Sequence, residues 1–471
     1  MAITRRQFLK RSSTAAAGGL LAPSLLGNGW MQQAFADTIG DRYFVVLFLD
    51  GGNDGLNTVS PIDDGGGLLR TAYDGWRNTG VGGINLAPGV LSPQAIGADP
   101  GTGAQLGLHP GLSDLKTLYD LGKVAVVQGC GYPDFSLSHD DSRRAWRTAS
   151  PGGTSSTGWM GRYLAANYVG TDIPAAGISN GVPGEFVQSA TSVLTVRRVR
   201  DFRFPYDTSF RSDIDLKRAT FNDLHEAARA GGQPSVLTHI GNAGTATLLS
   251  TEAYPALHDT YQLDRPTWDQ AYSDNNSSTS NDLREIAKII YGVESGVPNV
   301  NARFFQVRNG GYDTHSDQGG ADPDGSHFNL HQEVGRALKL FYDDLADMGA
   351  IDKVCVMLFS EFGRRIPQND NGTDHGSQGP MFVIGGNVVG GTYGNHPNIE
   401  ESALDRSGNT VYSQDGADAF RSTDFRDVYG TILKHWLNMP HGQIVTDVLP
   451  LDTGDPAEWW TAENFDMGFL P

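Results

Sequence analysis

Five stretches of the chain are apolar and β-branched over strand length: residues 43–49, 123–128, 303–307, 353–359 and 381–384. Most are apolar at consecutive rather than alternate positions, so both faces of each strand are buried, as in the central strands of a parallel sheet covered by helices. Helical periodicity falls between them, over 140–148, 159–168, 215–230, 282–291, 329–348 and 424–437. Strands alternating with helices predict an α/β fold built on a mainly parallel central sheet with helices on both faces. From about 170 to 295 the alternation weakens. Two poor strands (185–188 and 193–196) and several helices read there as a peripheral insertion, with the polar run 271–281 as a loop inside it. No internal repeat and no second domain boundary is visible.

The amino terminus has a different pattern. Arg5 and Arg6 are followed by Gln7, Phe8, Leu9 and Lys10, then by an apolar run over 15–26 and a small-x-small site at Ala34-Phe35-Ala36. This is the form of a twin-arginine signal peptide, residues 1–36, and it predicts a periplasmic or secreted protein. Gly18, Gly19 and Pro23 break the apolar run, which is too short to span a bilayer. Cleavage leaves residues 37–471 as one α/β domain. It also removes four positive charges, taking the net charge from −19 to −23. So acidic a chain binds neither nucleic acid by counterion release nor anionic membranes. Cys130 and Cys355 both sit in apolar strand runs and read as buried thiols.

Three predicted strands end in acids. Asp50 closes YFVVLFLD, Asp313 and His315 follow RFFQV, and Glu361 lies two residues past Phe359. Ligands of an open parallel sheet bind outside the carboxyl ends of its strands, so these acids are expected in one crevice, where close carboxylates call for a cation. Asp374 and His375 stand together in a glycine-bounded loop, and an imidazole beside a carboxylate is a usual way to hold a divalent metal. His327 and His331 are four apart at a helix start and face the same way. Ser138 lies just before the helix at 140–148, where helix N–H groups favour an oxyanion; it fits a nucleophile, and it fits a plain N-cap. Gly177-Ile178-Ser179-Asn180-Gly181 matches the G-x-S-x-G elbow of serine hydrolases. Pro174 and Pro183 deny it the strand and helix the elbow requires. There is no Walker A motif, and Cys130-Gly131-Tyr132-Pro133 is out of register for the formylglycine pattern of sulfatases.

FLDGGNDGLNT, the Ser138-His139 segment, TGWMGRYL, GGYDTHSDQ, SEFGRR, GTDHG, VGGTYG and TDFRDVYGTILKHWL together resemble a bacterial family of twin-arginine-exported proteins of unknown function, domain of unknown function 1501. That family is similar in fold to the alkaline phosphatase and sulfatase superfamily. The resemblance implies one or two divalent ions (Zn, Mn, Mg or Ca) with Asp50, Asp313, His315, Glu361, Asp374 and His375 as ligands, and Ser138 in the nucleophile's place. It implies a hydrolase of phosphate, sulfate or related esters, with a small-molecule or polymer substrate and Arg364, Arg365 or Asn53 clamping the anion. Glu361-Phe362 stands where the superfamily has Asp-His, so one metal loses an imidazole unless His139 replaces it. The altered pair also fits a non-catalytic periplasmic binding or assembly protein working beside an exported partner.

Overall fold

In the computed structural model, described over residues 41–168, 172–188, 192–204, 213–400, 403, 418–449, 460 and 465–471, the elements that position the site begin with β1 (Tyr43–Asp50), β2 (Val124–Gly131), α1 (His139–Thr148), α2 (Trp159–Asn167), β3 (Ala175–Gly177) and β4 (Val193–Thr195). Helices α3 (Ile214–Arg229), α4 (Ser235–Asp264), α5 (Pro266–Asn275) and α6 (Ser278–Glu294) follow. Then come β5 (Phe304–Gly310), α7 (Ser326–Asp347), β6 (Val354–Ser360), the short β7 (Gly363–Arg364) and β8 (His375–Gly376), β9 (Gln378–Gly385), β10 (Gly391–Tyr393), β11 (Thr423–Asp424) and α8 (Phe425–Thr431). The segment read as a signal peptide, 1–36, lies outside the described residues.

β1 is buried at every position, and its alternate side chains feed two cores. Tyr43, Val45, Leu47 and Leu49 belong to one, while Phe44, Val46 and Phe48 belong to the other, as the two-residue period of a strand requires. The first core is closed by α6 and α7 through Leu283, Ile286, Val334, Leu338 and Phe341. The second is closed by α1, α2 and α8 through Trp146, Trp159, Tyr163, Phe425 and Tyr429. Each such side chain contributes roughly 1.5–3 kcal/mol on burial, so helices are needed on both faces.

The sheet order is β10-β2-β9-β6-β1-β5-β3-β4, with β11 beside β2. Every neighbouring pair is parallel except those of β9, which runs antiparallel to both β2 and β6. The fold is therefore α/β on a mainly parallel sheet, as the strand and helix pattern predicts. Between about 170 and 295 the chain is built differently from its sequence reading. β3 and β4 extend the central sheet beyond β5, and α6 packs into its core. The expected loop at 271–281 is a helix junction instead: Asn276 turns left-handed at φ 46° to end α5, and the Ser277 hydroxyl accepts the Ser280 N–H to start α6. Capping accounts for its polar composition. The expected strand at 185–188 begins as a 3-10 turn, Gly184–Phe186. Cys130 and Cys355 are buried free thiols on β2 and β6, strands that β9 separates. Among the described residues no helix is long and apolar enough to cross a membrane.

Candidate metal centre

Register brings the ends of the strands together. Asp50 pairs with Gly310 of β5 and Leu49 with Ser360 of β6, so Asp50, Asp313 and Glu361 leave the sheet at one edge. β2 ends there too, and the turn after it delivers His139 as the first residue of α1. Because β9 is antiparallel, its amino end reaches this same edge and carries His375 on the β7–β8 ribbon, where Arg364 pairs with His375.

Asp313 is the hub of what these loops bring together. His375 Nε2 lies 3.0 Å and His315 Nε2 3.1 Å from its Oδ1, with the two Nε2 atoms 3.0 Å apart. His139 Nε2 lies 3.5 Å from Oδ2. His139, Asp313 and His375 offer ligand atoms all within 4.8 Å of one another. The other ring nitrogens face acceptors: His375 Nδ1 the Leu137 carbonyl at 2.8 Å, His315 Nδ1 Asp374 Oδ1 at 3.2 Å, and His139 Nδ1 Glu361 Oε1 at 2.9 Å. An acceptor at Nδ1 places the proton there, so each neutral ring presents an Nε2 lone pair. Three lone pairs then converge on a carboxylate, an arrangement that repels itself unless a cation or protons lie between them.

The charge state of the hub strengthens the point. Burial pushes the Asp313 carboxyl upward, but the opposing interactions, led by the hydrogen bond and charge of Arg364, hold it at about 2. Burial also pushes His375 below the ordinary imidazole value. An anionic carboxylate beside a neutral ring results. The separations fit a divalent ion, since donors bound at about 2.0–2.2 Å around four- or six-coordinate metal stand roughly 3.0–3.5 Å apart.

Beneath the hub the backbone is fixed by two buried side chains. Glu361, fully buried, accepts the Gly51 N–H at 3.0 Å, the Gly52 N–H at 3.2 Å and the Ser360 hydroxyl at 3.0 Å, besides facing His139. Gly51 and Gly52 have φ of 127° and 84°, and a Cβ on Gly51 would stand 2.4 Å from the Asp313 nitrogen. Only glycine permits that turn. Arg364 donates to the carbonyls of Gly52, Thr373 and Tyr312 at 2.7–2.9 Å and to Asp313 at 2.7 Å. The Phe362 ring packs between His139 and His375, with centroids at 4.9 and 4.6 Å. His139 enters the cluster from another element.

The sequence-predicted residues thus separate into groups. Asp313 and His375 come together with His139 around one point, and His315 reaches Asp313 and His375 but stands outside that trio. Asp374 and Glu361 stand behind histidines, holding Nδ1 protons, rather than inside the cluster. Asp50 faces guanidinium groups instead of imidazoles: Arg143 at 2.6 Å, and Arg308. Arg364 is buried with its donors engaged by carbonyls and Asp313, so it positions the loops and is not free to clamp an anion. Asn53 is likewise engaged by Thr58 and by His327 below the site. Arg365 is half-buried, and its backbone N–H bonds the Asp374 carbonyl. Ser138 is exposed at the N-cap position of α1, and its side chain makes no capping hydrogen bond. His327 and His331 do face one way, but into a buried group with His109. Ser179 is followed by a turn and not a helix, so the elbow is absent. Arg143 and Arg308 escaped the sequence reading; the signal for Arg143 was its position four residues after His139 on one helix.

Residues 101–415 match the family described as a protein of unknown function (DUF1501). The chain belongs to this family. The quoted motifs that fall within 101–415 are thus those of a DUF1501 protein. No curated protein matches the chain. Among solved structures it is similar to the lipoteichoic acid synthase LtaP from Listeria monocytogenes, at 11% identity and a TM-score of 0.32 over 77% of this chain and 74% of that one. It is also similar to the PsFucS1 sulfatase from Pseudoalteromonas sp., at 10% identity and a TM-score of 0.30 over 79% and 68%. Likeness so slight carries no argument about what this DUF1501 member does.

Proposed function

We propose that this protein is an exported, metal-dependent hydrolase of phosphate, sulfate or related esters, with one divalent ion held by His139, Asp313 and His375 and with His315 beside them. The observation that carries the reading is the convergence of three Nε2 lone pairs on an anionic Asp313 while Leu137, Asp374 and Glu361 fix the rings from behind. Imidazoles with one carboxylate suit Zn or Mn better than Ca or Mg. When bound, such an ion polarises an ester oxygen and acidifies a nearby hydroxyl or water.

The chain's own groups supply the rest. Glu361 and Asp374 orient His139 and His315 and raise their basicity as ligands. Arg364 holds the Gly51-Gly52 turn against Asp313. Arg143 and Arg308, gathered on Asp50, are the guanidinium groups at the site edge that can turn to an anionic ester, a planar bidentate match for phosphate or sulfate oxygens. Ser138, with its hydroxyl uncommitted beside His139, is the candidate nucleophile. The single cluster, with Asp50 neutralised by arginine, argues for one ion rather than two.

The test is metal content of the folded protein and of Asp313→Ala, with hydrolysis of nitrophenyl phosphate, bis-nitrophenyl phosphate and nitrophenyl sulfate in the presence of Zn, Mn, Mg or Ca. Metal bound by wild type and lost in the variant, with turnover of at least one ester, supports the assignment. Metal bound without turnover of any ester makes the protein a binding or assembly component. Equal metal content in both proteins overturns the ligand set.

A further inference from the structure

A cavity of about 250 Å³ opens between α4, α5, α6 and the turn that follows β4. Arg198 and Arg200 line it from the turn, and Arg284 and Lys288 line it from α6. Two acids, Asp269 of α5 and Glu285 of α6, oppose these four cations. The rest of the lining is His258, Gln262 and Ser273, so no side chain in it is apolar. Asp and Glu outnumber Lys and Arg by 54 to 35 in the whole chain, and a hollow with twice as many cations as acids runs against that composition.

Both acids are engaged within the protein. Glu285 accepts the Val199 N–H at 2.6 Å and Lys288 Nζ at 3.1 Å, and Asp269 accepts the Gln262 amide at 2.9 Å. Lys288, buried at the floor, is thereby matched by Glu285. The guanidinium groups are matched less well. Arg284 donates to neutral oxygens, Ser273 Oγ at 2.8 Å and Asn281 Oδ1 at 3.0 Å, while the carboxylates of Asp269 and Glu285 stand 3.7 Å off. Arg200 meets the exposed Asp201 at 3.3 Å, a pairing of little strength in water. Arg198 binds Asp282 through Nη1 at 2.9 Å, one corner of its fork. The side chains of Arg198, Arg200 and Arg284 are 30%, 64% and 16% exposed, so a small solute reaches all three. His258 Nδ1 lies 3.1 Å from the Lys288 ammonium and accepts there, which puts its proton on Nε2 as a further donor.

Guanidinium in excess of carboxylate in a concave site attracts an anion. Guanidinium groups from two elements, a hydroxyl and an imidazole N–H surround the tetrahedral oxygens of phosphate or sulfate, whereas one planar fork satisfies a carboxylate. The volume falls below the roughly 300–1,000 Å³ of sites for drug-sized ligands, so the occupant is compact. We infer that this cavity is a binding site for a phosphate or sulfate group, as the free ion or as the head of a small ester. The site does not depend on the metal reading, because none of its residues belongs to the cluster around Asp313.

Calorimetric titration of the full-length folded protein with inorganic phosphate, sulfate, glycerol 3-phosphate and succinate tests it. At least one of the first three should bind wild type, and more tightly than succinate does. Arg200→Gln, at an exposed position, and Arg284→Gln should each weaken that binding about tenfold, the consequence of one lost charge-assisted hydrogen bond. Arg308→Gln, at the edge of the Asp313 cluster, should bind as wild type does. Should Arg284→Gln fail to fold, Arg200→Gln alone decides. Tighter binding of glycerol 3-phosphate than of the free ions supports the site with an ester head as its occupant, and the reverse supports it with the free ion. The assignment is overturned by no binding to wild type, by succinate binding most tightly, by wild-type affinity in Arg200→Gln, or by loss of binding in Arg308→Gln.

Discussion

Acid should loosen this protein from beneath the cluster around Asp313, through three imidazoles that have no room to be charged. His109, His327 and His331 are buried with ring centroids 4.1–5.1 Å apart. They prop the site loop: His327 Nε2 donates to Asn53 at 2.9 Å, and His331 Nε2 lies 3.1 Å from Thr58 Oγ1. Burial holds His109 down at about 4 against 6.5 in the unfolded chain, opposed by its hydrogen bond to Gly320. Between those values the unfolded state binds the proton and the folded state does not, so stability falls as pH falls from 6.5 toward 4. The full effect is about 3.4 kcal/mol, of which about 2 kcal/mol is already lost on going from about pH 7 to about pH 5. Asp418 and Asp427, whose carboxyls burial raises to about 6 and about 7, act in the opposite direction over the same window. A single profile therefore mixes the terms, and a variant must isolate one. His109→Asn keeps a side-chain acceptor for the Gly111 N–H, which His109 Nδ1 accepts at 3.0 Å, but cannot titrate. Urea denaturation of both proteins at the two pH values should show wild type losing about 2 kcal/mol more than His109→Asn. An equal loss in the two proteins would refute the reasoning.

Gly51→Ala should cost about 2–4 kcal/mol in chemical denaturation, because a Cβ at φ 127° meets the Asp313 backbone. Glu361→Gln should lower metal affinity about 10–100-fold in competition with a chelator, since the His139 Nδ1 proton loses its anionic acceptor. Ser138→Ala should leave the melting temperature unchanged, its hydroxyl making no cap bond, and abolish most ester turnover; a lower melting temperature with full turnover would make Ser138 a cap. Changing Arg5 and Arg6 together to Lys should leave unprocessed protein in the cytoplasm on immunoblotting of cell fractions.

The sheet was readable in the sequence because its central strands are buried on both faces, and an apolar run such as 43–49 has few other places to go. Acids just past such runs marked the productive edge for the same reason: the strand end fixes where the next side chain emerges. The role of each acid was not readable. Asp50 and Asp313 follow similar strands, yet one meets arginines from α1 and β5 and the other meets imidazoles. That outcome depends largely on residues 62 to 258 positions away, which local pattern does not register. Arg364 misled for a related reason. A charged residue in SEFGRR suggests an exposed clamp, whereas the turn buries it against four carbonyls and an acid. The junction at Asn276-Ser277 misled by composition, since capping residues and loop residues are the same few types.

The antiparallel course of β9 also sets when the cluster around Asp313 can exist. His139, Asp313 and His375 come from three distant segments, and the last arrives only once β9 has slotted between β2 and β6. No nascent or partly threaded chain presents more than the short Asp313–His315 fragment, so on the proposed metal-binding reading ion capture waits on the finished molecule. A translocon that passes unfolded chains would leave loading to whatever metal the outer compartment holds; one that passes finished molecules lets the cytoplasm choose the ion.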